Sequence, residues 1–189
     1  MQRKKVIEVL LAGIMLTGCG SAAKSTEPTA AASEAPAQET AAIAEMTVTS
    51  DDLIEGVWKD SITSLSKGEN KSPELTWTSV PGAEEYAIYM IDISANNWLH
   101  WQAYGIKSSS LASGEAIENG QYKGPYPPSG THTYEIHVYA LKGPADAWPG
   151  TFDAANESLE QMETMLDTAN GNAGNIISSA YISGTASAD

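Results

Sequence analysis

Glu85-Tyr86-Ala87-Ile88-Tyr89-Met90-Ile91-Asp92 is apolar on both parities, with Tyr86, Ile88 and Met90 on one side and Ala87, Tyr89 and Ile91 on the other. Successive side chains of a strand point to opposite faces, so this run predicts a central strand covered on both. His132 to Leu141 predicts a second long strand. It sets His132, Tyr134, Ile136 and Val138 on one face and Thr133, Glu135, His137 and Tyr139 on the other. Outward from these two, Met46-Thr47-Val48-Thr49 alternates like an edge strand, and Glu74-Leu75-Thr76-Trp77 is punctuated by Val80-Pro81-Gly82. Leu99 to Ile106 and Ile176 to Ile182 complete the set of strands. One helix is expected, with Asp153 as its cap, Leu159, Met162, Met165 and Leu166 at helical spacing, and Gly171 ending it. Many short strands with one late helix predict a mainly β, sandwich-like architecture.

Charge and composition narrow the function classes. The chain has 189 residues, enough for one domain with an appendage, and 10 Lys+Arg against 24 Asp+Glu give a net charge of −14. Nucleic-acid surfaces need clustered cations to displace counterions, so a nucleic-acid partner is excluded. The same deficit excludes attachment to anionic lipid by charge. A single cysteine leaves no intrachain disulfide and no Cys-rich zinc site. Eight Tyr and five Trp against one Phe suit half-wet surfaces and pocket walls. No phosphate-binding Gly-rich motif, no Gly-x-Ser-x-Gly and no His-Glu-x-x-His is present, so no cofactor is called for.

The amino terminus reads as an address. Arg3, Lys4 and Lys5 precede a largely apolar Val6 to Leu16, a run too short to span a bilayer. Leu16-Thr17-Gly18-Cys19 resembles the lipobox of bacterial lipoproteins, in which the cysteine is diacylglycerylated and becomes the new amino terminus. Residues 1–18 are accordingly expected to be a lipoprotein signal peptide, and Cys19 the lipidation site. Losing three basic residues and Glu8 takes the charge from −14 to −16. Acyl chains anchor without help from basic residues, at ~0.8 kcal/mol per buried CH₂. Residues 19–45 are rich in Ala, Ser, Thr, Glu and Pro and have no aromatic residue, the composition of a disordered tether. The globular domain is expected over 46–189.

Three segments carry the chemistry. Asp92 closes an apolar strand, His100-Trp101 opens another, and Gly124-Pro125-Tyr126-Pro127-Pro128-Ser129-Gly130-Thr131-His132-Thr133-Tyr134 leads into a third. The Pro and Gly density of the last stretch fixes a rigid loop whose backbone can approach a ligand. Two imidazoles and a carboxylate at strand ends could surround one small anion or polar headgroup.

With Asn70-Lys71-Ser72-Pro73-Glu74-Leu75-Thr76-Trp77, Val80-Pro81, Val138-Tyr139-Ala140-Leu141 and Ile177-Ser178-Ser179-Ala180-Tyr181, these segments resemble the bacterial branch of the phosphatidylethanolamine-binding protein family, also called Raf-kinase-inhibitor-like. The resemblance runs from about Met46 to Gly184. It implies an antiparallel β-sandwich with a C-terminal helix and a small cavity for phosphoryl or other anions. Carried over, the lining is Asp92, His100, His132 and Tyr134, with Pro127, Gly130 and Tyr181 as wall residues. Two departures stand out. The family's Asp-x-Asp-x-Pro is here Asp92-Ile93-Ser94-Ala95-Asn96 before a shortened loop to His100, and the Arg often found after the second His is Thr133. The opposite face assigns His137 a packing role, and Trp77 and Trp101 read as core.

The leading expectation is a binding protein, lipid-anchored outside the cytoplasm to the bacterial cell membrane, whose pocket takes a phosphoryl headgroup or other small anion. An inhibitor or scaffold of an envelope protein such as a peptidase is the alternative. A hydrolase using His100 and His132 as acid and base is weaker, since no activated nucleophile is evident. A metal held by two His and one carboxylate is a further variant of that geometry; no metal site is assigned.

Overall fold

The chain divides into two units, Met1–Ala41 and Ala42–Asp189. The computed structural model describes residues 45–189 except 157, all within the second. The expected signal segment, Cys19 and nearly all of the expected tether lie outside the described residues.

Strands β1 (Val48–Thr49), β2 (Leu53–Ile54) and β3 (Val57–Trp58) are followed by a 3₁₀ turn at Asp60–Ile62 and by β4 (Leu75–Trp77). The long β5 (Glu85–Asp92) and β6 (Trp98–Ile106) come next, then the short β7 (Ser110–Leu111) and β8 (Gly120–Tyr122), then β9 (Thr131–Leu141). Helix α1 (Leu159–Leu166), the hairpin of β10 (Thr168–Ala169) and β11 (Asn172–Ala173), and the long β12 (Ile176–Ser187) complete the domain.

A seven-stranded sheet in the order β2-β3-β12-β9-β5-β6-β8 faces a three-stranded sheet, β1-β4-β7, on one side. Between them lies the larger core, with Trp77, Trp101, Ile88, Met90, Ile136 and Leu75 all buried. On the other side Met162 and Leu166 of α1 cover Ala87, Tyr89, Ile91 and Tyr139. Every residue of β5 is buried, because one parity enters each core. Each large side chain so buried contributes ~1.5–3 kcal/mol against solvent exposure. Pairing is antiparallel except where β12 runs parallel to β3 at Thr185 and Val57.

Three local readings are corrected. The helix is capped by Ser158, not Asp153: the Gln161 N–H donates to the Ser158 hydroxyl, and the Ser158 N–H to Gln161 Oε1. This reciprocal box satisfies two otherwise orphaned donors, which a distant Asp153 cannot do. The helix also ends earlier, at Asp167, whose carboxylate accepts from the Gly174 and Ile176 N–H groups. Gly171 belongs instead to the hairpin, where Asn170 (φ 51°) and Gly171 (φ 71°) form a two-residue turn needing left-handed backbone at both positions. Finally, β12 continues past Ile182 to Ser187. Gly184 lies against Trp58 and Leu53, where a Cβ would come within 2.3 Å of the Leu53 Cδ1.

Candidate functional site

A cleft of about 340 Å³ opens at the end of the large sheet where β5, β6, β8 and β9 meet, lined in part by Asp92, His100 and His132. Each arrives there for a local reason. Asp92 is the last residue of β5, and the chain returns as β6 after only five residues. Asn96 (φ 51°) and Asn97 (φ 53°) make that short return, since Asn tolerates left-handed backbone better than most side chains.

His100 reaches the cleft through a β-bulge. Ile91 pairs with Leu99 and Met90 with Trp101, so His100 is an extra residue in β6. Two consecutive side chains, His100 and Trp101, thereby face the same side, and Trp101 enters the larger core beside the cleft. The bulged backbone is held at both ends of one residue pair: Lys123 N–H donates to the His100 carbonyl at 2.8 Å, and His100 Nδ1–H donates to the Lys123 carbonyl at 2.9 Å. A carbonyl only accepts, so Nδ1 carries the proton and Nε2 of the neutral ring is an acceptor. Burial pushes the His100 pKa below its ordinary value, with the backbone carbonyl contact and Asp92 opposing, so the neutral ring dominates at pH 7.

The loop before His132 is pinned from below. Gly124 N–H donates to Asn70 Oδ1 at 2.7 Å, the Ser64 hydroxyl donates to the Gly124 carbonyl at 2.8 Å, and Ser64 N–H donates to the Pro125 carbonyl at 3.1 Å. A Cβ at Gly124 would stand 2.0 Å from the Ile62 carbonyl oxygen, so only glycine permits this approach. His132 then donates from Nδ1 to Asp92 Oδ2 at 2.6 Å, with side-chain exposures of 16% and 4%. The other Asp92 oxygen accepts from Ser94 N–H at 2.9 Å.

Tyr134 lies under both imidazoles, its ring centroid 5.3 Å from His100 in an edge arrangement and 6.4 Å from His132 in a stacked one. It is fully buried, so it forms the floor and not the lining. Burial first, and then the Asp92 charge, push its pKa far above the ordinary tyrosine value, which keeps it a neutral donor.

The structure brings Asp92, His100 and His132 together over Tyr134, and places the other candidates elsewhere. Pro127 is buried within the loop, and its neighbour Pro128 takes the wall position. Gly130 is an exposed turn residue at φ 65° away from the lining. Tyr181 pairs across β12 and β9 with His137, stacks on it at 5.2 Å, and is 60% exposed on the face opposite the cleft. His137 packs there as expected, bonded to Glu135 at 3.0 Å. Cys19 lies outside the described residues.

Sequence reasoning missed Trp98, Lys123, Tyr126 and Asp153 in the lining. Lys123 directly precedes the Gly-Pro-rich loop and is, among the described residues, the one Lys or Arg in the lining. Its ammonium lies 2.7 Å from Asp153 Oδ2, and Trp98 Nε1–H donates to Asp153 Oδ1 at 3.2 Å. Among the described residues no Ser, Thr or Cys lines the cleft. Among the described residues no group of three His, Cys, Asp or Glu is placed to hold a metal ion.

The sequence profile described as phosphatidylethanolamine-binding protein matches residues 44–185. A UPF0098 protein of Methanothermobacter thermautotrophicus is 34% identical over 116 residues, 51% of this chain and 76% of that protein. A Mycobacterium tuberculosis protein carrying the lipoprotein name LppC is 36% identical over 100 residues, 44% of this chain, and the chain spans 50% of its length. Among solved structures, E. coli YbcL, described as a new member of the mammalian PEBP family, superposes with a TM-score of 0.58 at 25% identity, covering 77% of this chain and all of that one. A PEBP homologue of Chlamydia trachomatis gives the same score at 24% identity, over 77% of this chain and 99% of its own, a likeness of fold.

Proposed function

The chain belongs to the phosphatidylethanolamine-binding protein family, and from that premise we propose that it is a lipid-anchored binding protein of the cell envelope whose cleft takes a phosphoryl headgroup or other small anion. One observation carries this reading: the Nδ1 atoms of His100 and His132 are both tied back to protein acceptors, so Nε2 is the nitrogen each ring has left for a ligand beside the Lys123 ammonium. Lys123 supplies the positive charge for a phosphoryl oxygen. The neutral His100 supplies an acceptor, which suits a ligand carrying a donor of its own, such as an ammonium or a phosphoryl hydroxyl.

Binding is favoured over hydrolysis because, among the described residues, the lining has no Ser, Thr or Cys for the two histidines to activate. The lipobox-like Leu16-Thr17-Gly18-Cys19 and the lipoprotein name of the mycobacterial relative support anchoring through Cys19 outside the cytoplasm.

The test is thermal unfolding of the full chain with phosphate, phosphoethanolamine and glycerophosphoethanolamine, repeated in His132→Ala. A ligand at 100 times its Kd adds ~2.7 kcal/mol of stability. A shift in the wild type that His132→Ala abolishes is the expected result; no shift with any of the three overturns the reading.

A further inference from the structure

Asp153 occupies a place in the cleft that packing alone does not explain. It lies in the segment connecting β9 to α1, in left-handed backbone at φ 55°, a conformation unfavourable for a side chain with a Cβ. Such positions persist where surrounding contacts over-determine them, and they concentrate at ligand sites. Here the contacts are explicit. Asp153 N–H donates to the Leu99 carbonyl at 2.9 Å and Leu99 N–H donates to the Ala154 carbonyl at 2.9 Å, so the segment is laddered onto β6. Its carboxylate then joins Trp98 from β6 and Lys123 from the end of β8 in one group at the mouth.

The charges of the cleft make the consequence. Its formal charges are two carboxylates, Asp92 and Asp153, and one cation, Lys123. That cation is already matched by Asp153 at 2.7 Å, and the Lys123 contact holds the Asp153 carboxyl below the usual carboxylate range. A ligand anion therefore shares the Lys123 ammonium with a carboxylate already beside it.

Resting on the phosphoryl-binding reading above, we infer that Asp153 is a specificity-determining residue that restricts the cleft to singly charged phosphodiesters and rejects doubly charged phosphomonoesters. The second negative charge of a monoester lies within reach of Asp153 and gains nothing from Lys123 that Asp153 has not taken. A diester, the form in which a headgroup remains attached to glycerol, brings one negative charge and tolerates the pair.

The variants remove one charge at a time. Asp153→Asn keeps an acceptor for Trp98 and suits left-handed backbone as well as Asp does, while it removes the negative charge and the oxygen that accepts from Lys123. Lys123→Met removes the ammonium and keeps the aliphatic stem. Calorimetric titration of the full chain at pH 8 would compare phosphoethanolamine with glycerophosphoethanolamine, which share one ammonium and differ in phosphoryl charge, and would add inorganic phosphate as a third probe. The wild type should bind the diester roughly tenfold more tightly than the monoester, and Asp153→Asn should erase that preference by gaining affinity for the monoester. Lys123→Met should weaken both. A wild-type preference for the monoester, or a diester-to-monoester ratio unchanged in Asp153→Asn, overturns the inference and leaves phosphoryl binding intact. Failure of all three probes to bind overturns both.

Discussion

His132 Nδ1 and Asp92 Oδ2 stand 2.6 Å apart at the ends of two neighbouring strands, and the carboxylate's second oxygen is held by the Ser94 N–H. Asp92→Ala would leave both donors without this acceptor in a nearly dry place. A buried donor deprived of its partner costs ~1–3 kcal/mol. The melting temperature at pH 8 should therefore fall by on the order of 5 °C, measured by thermal unfolding. An unchanged melting temperature would remove the pair's structural role.

Stability should depend on pH through His100 and His137. Burial lowers both pKa values from the ordinary 6.5. The unfolded chain then binds these protons at a higher pH than the folded one does. Their contribution is present in full above about 6.5 and is lost as pH falls from there towards the lowered folded values. Chemical denaturation at pH 8, 7, 6 and 5 should show the decline beginning below pH 7, and His100→Gln should flatten it. A flat profile from 8 to 5 contradicts the assignment.

Two glycines of one loop should respond differently to alanine. At Gly124 the new methyl would meet the Ile62 carbonyl at 2.0 Å and the Thr63 carbonyl carbon at 2.8 Å, so backbone must move. At Gly130 nothing lies within 4 Å, and the only penalty is the left-handed φ of 65°, about 1–2 kcal/mol. Gly124→Ala should lose markedly more stability and distort the wall that Lys123 and Tyr126 provide. Equal melting temperatures for the two variants would contradict this.

Tyr181→Ala should leave phosphoryl binding unchanged within twofold. The residue stacks on His137 across the sheet from the cleft and is 60% exposed. Calorimetric titration with glycerophosphoethanolamine measures it, and a loss beyond fivefold would bring Tyr181 back into the site.

Much of the scaffold was legible because burial on two faces leaves a double-parity signature, as in Glu85 to Asp92. The tail of β12 was not, since Gly184 and Ala186 pack by being small and so break no polar run. Asp153 was misread because the chemistry that favours Asp at helix caps also favours it in left-handed turns, and Ser158 with Gln161 made the better cap. Asp92, His100 and His132 were legible through motifs. Lys123 and Asp153 meet across 30 residues, a juxtaposition no local pattern encodes. Strict alternation would also have put His100 and Trp101 on opposite faces; their shared side depends on the bulge.

That bulge sets folding and ligand capture against each other. A chain lacking residue 100 would read Trp98, Leu99, Trp101, Gln102 in unbroken alternation, with Leu99 in the helix-side core and Trp101 in the inter-sheet core where they already lie. The ladder would close and the imidazole would be gone. Such a deletion should melt no lower than the parent while binding no phosphodiester, the pattern of a residue retained at the expense of a tidier sheet. A deletion variant that unfolds readily would show instead that His100 is structural.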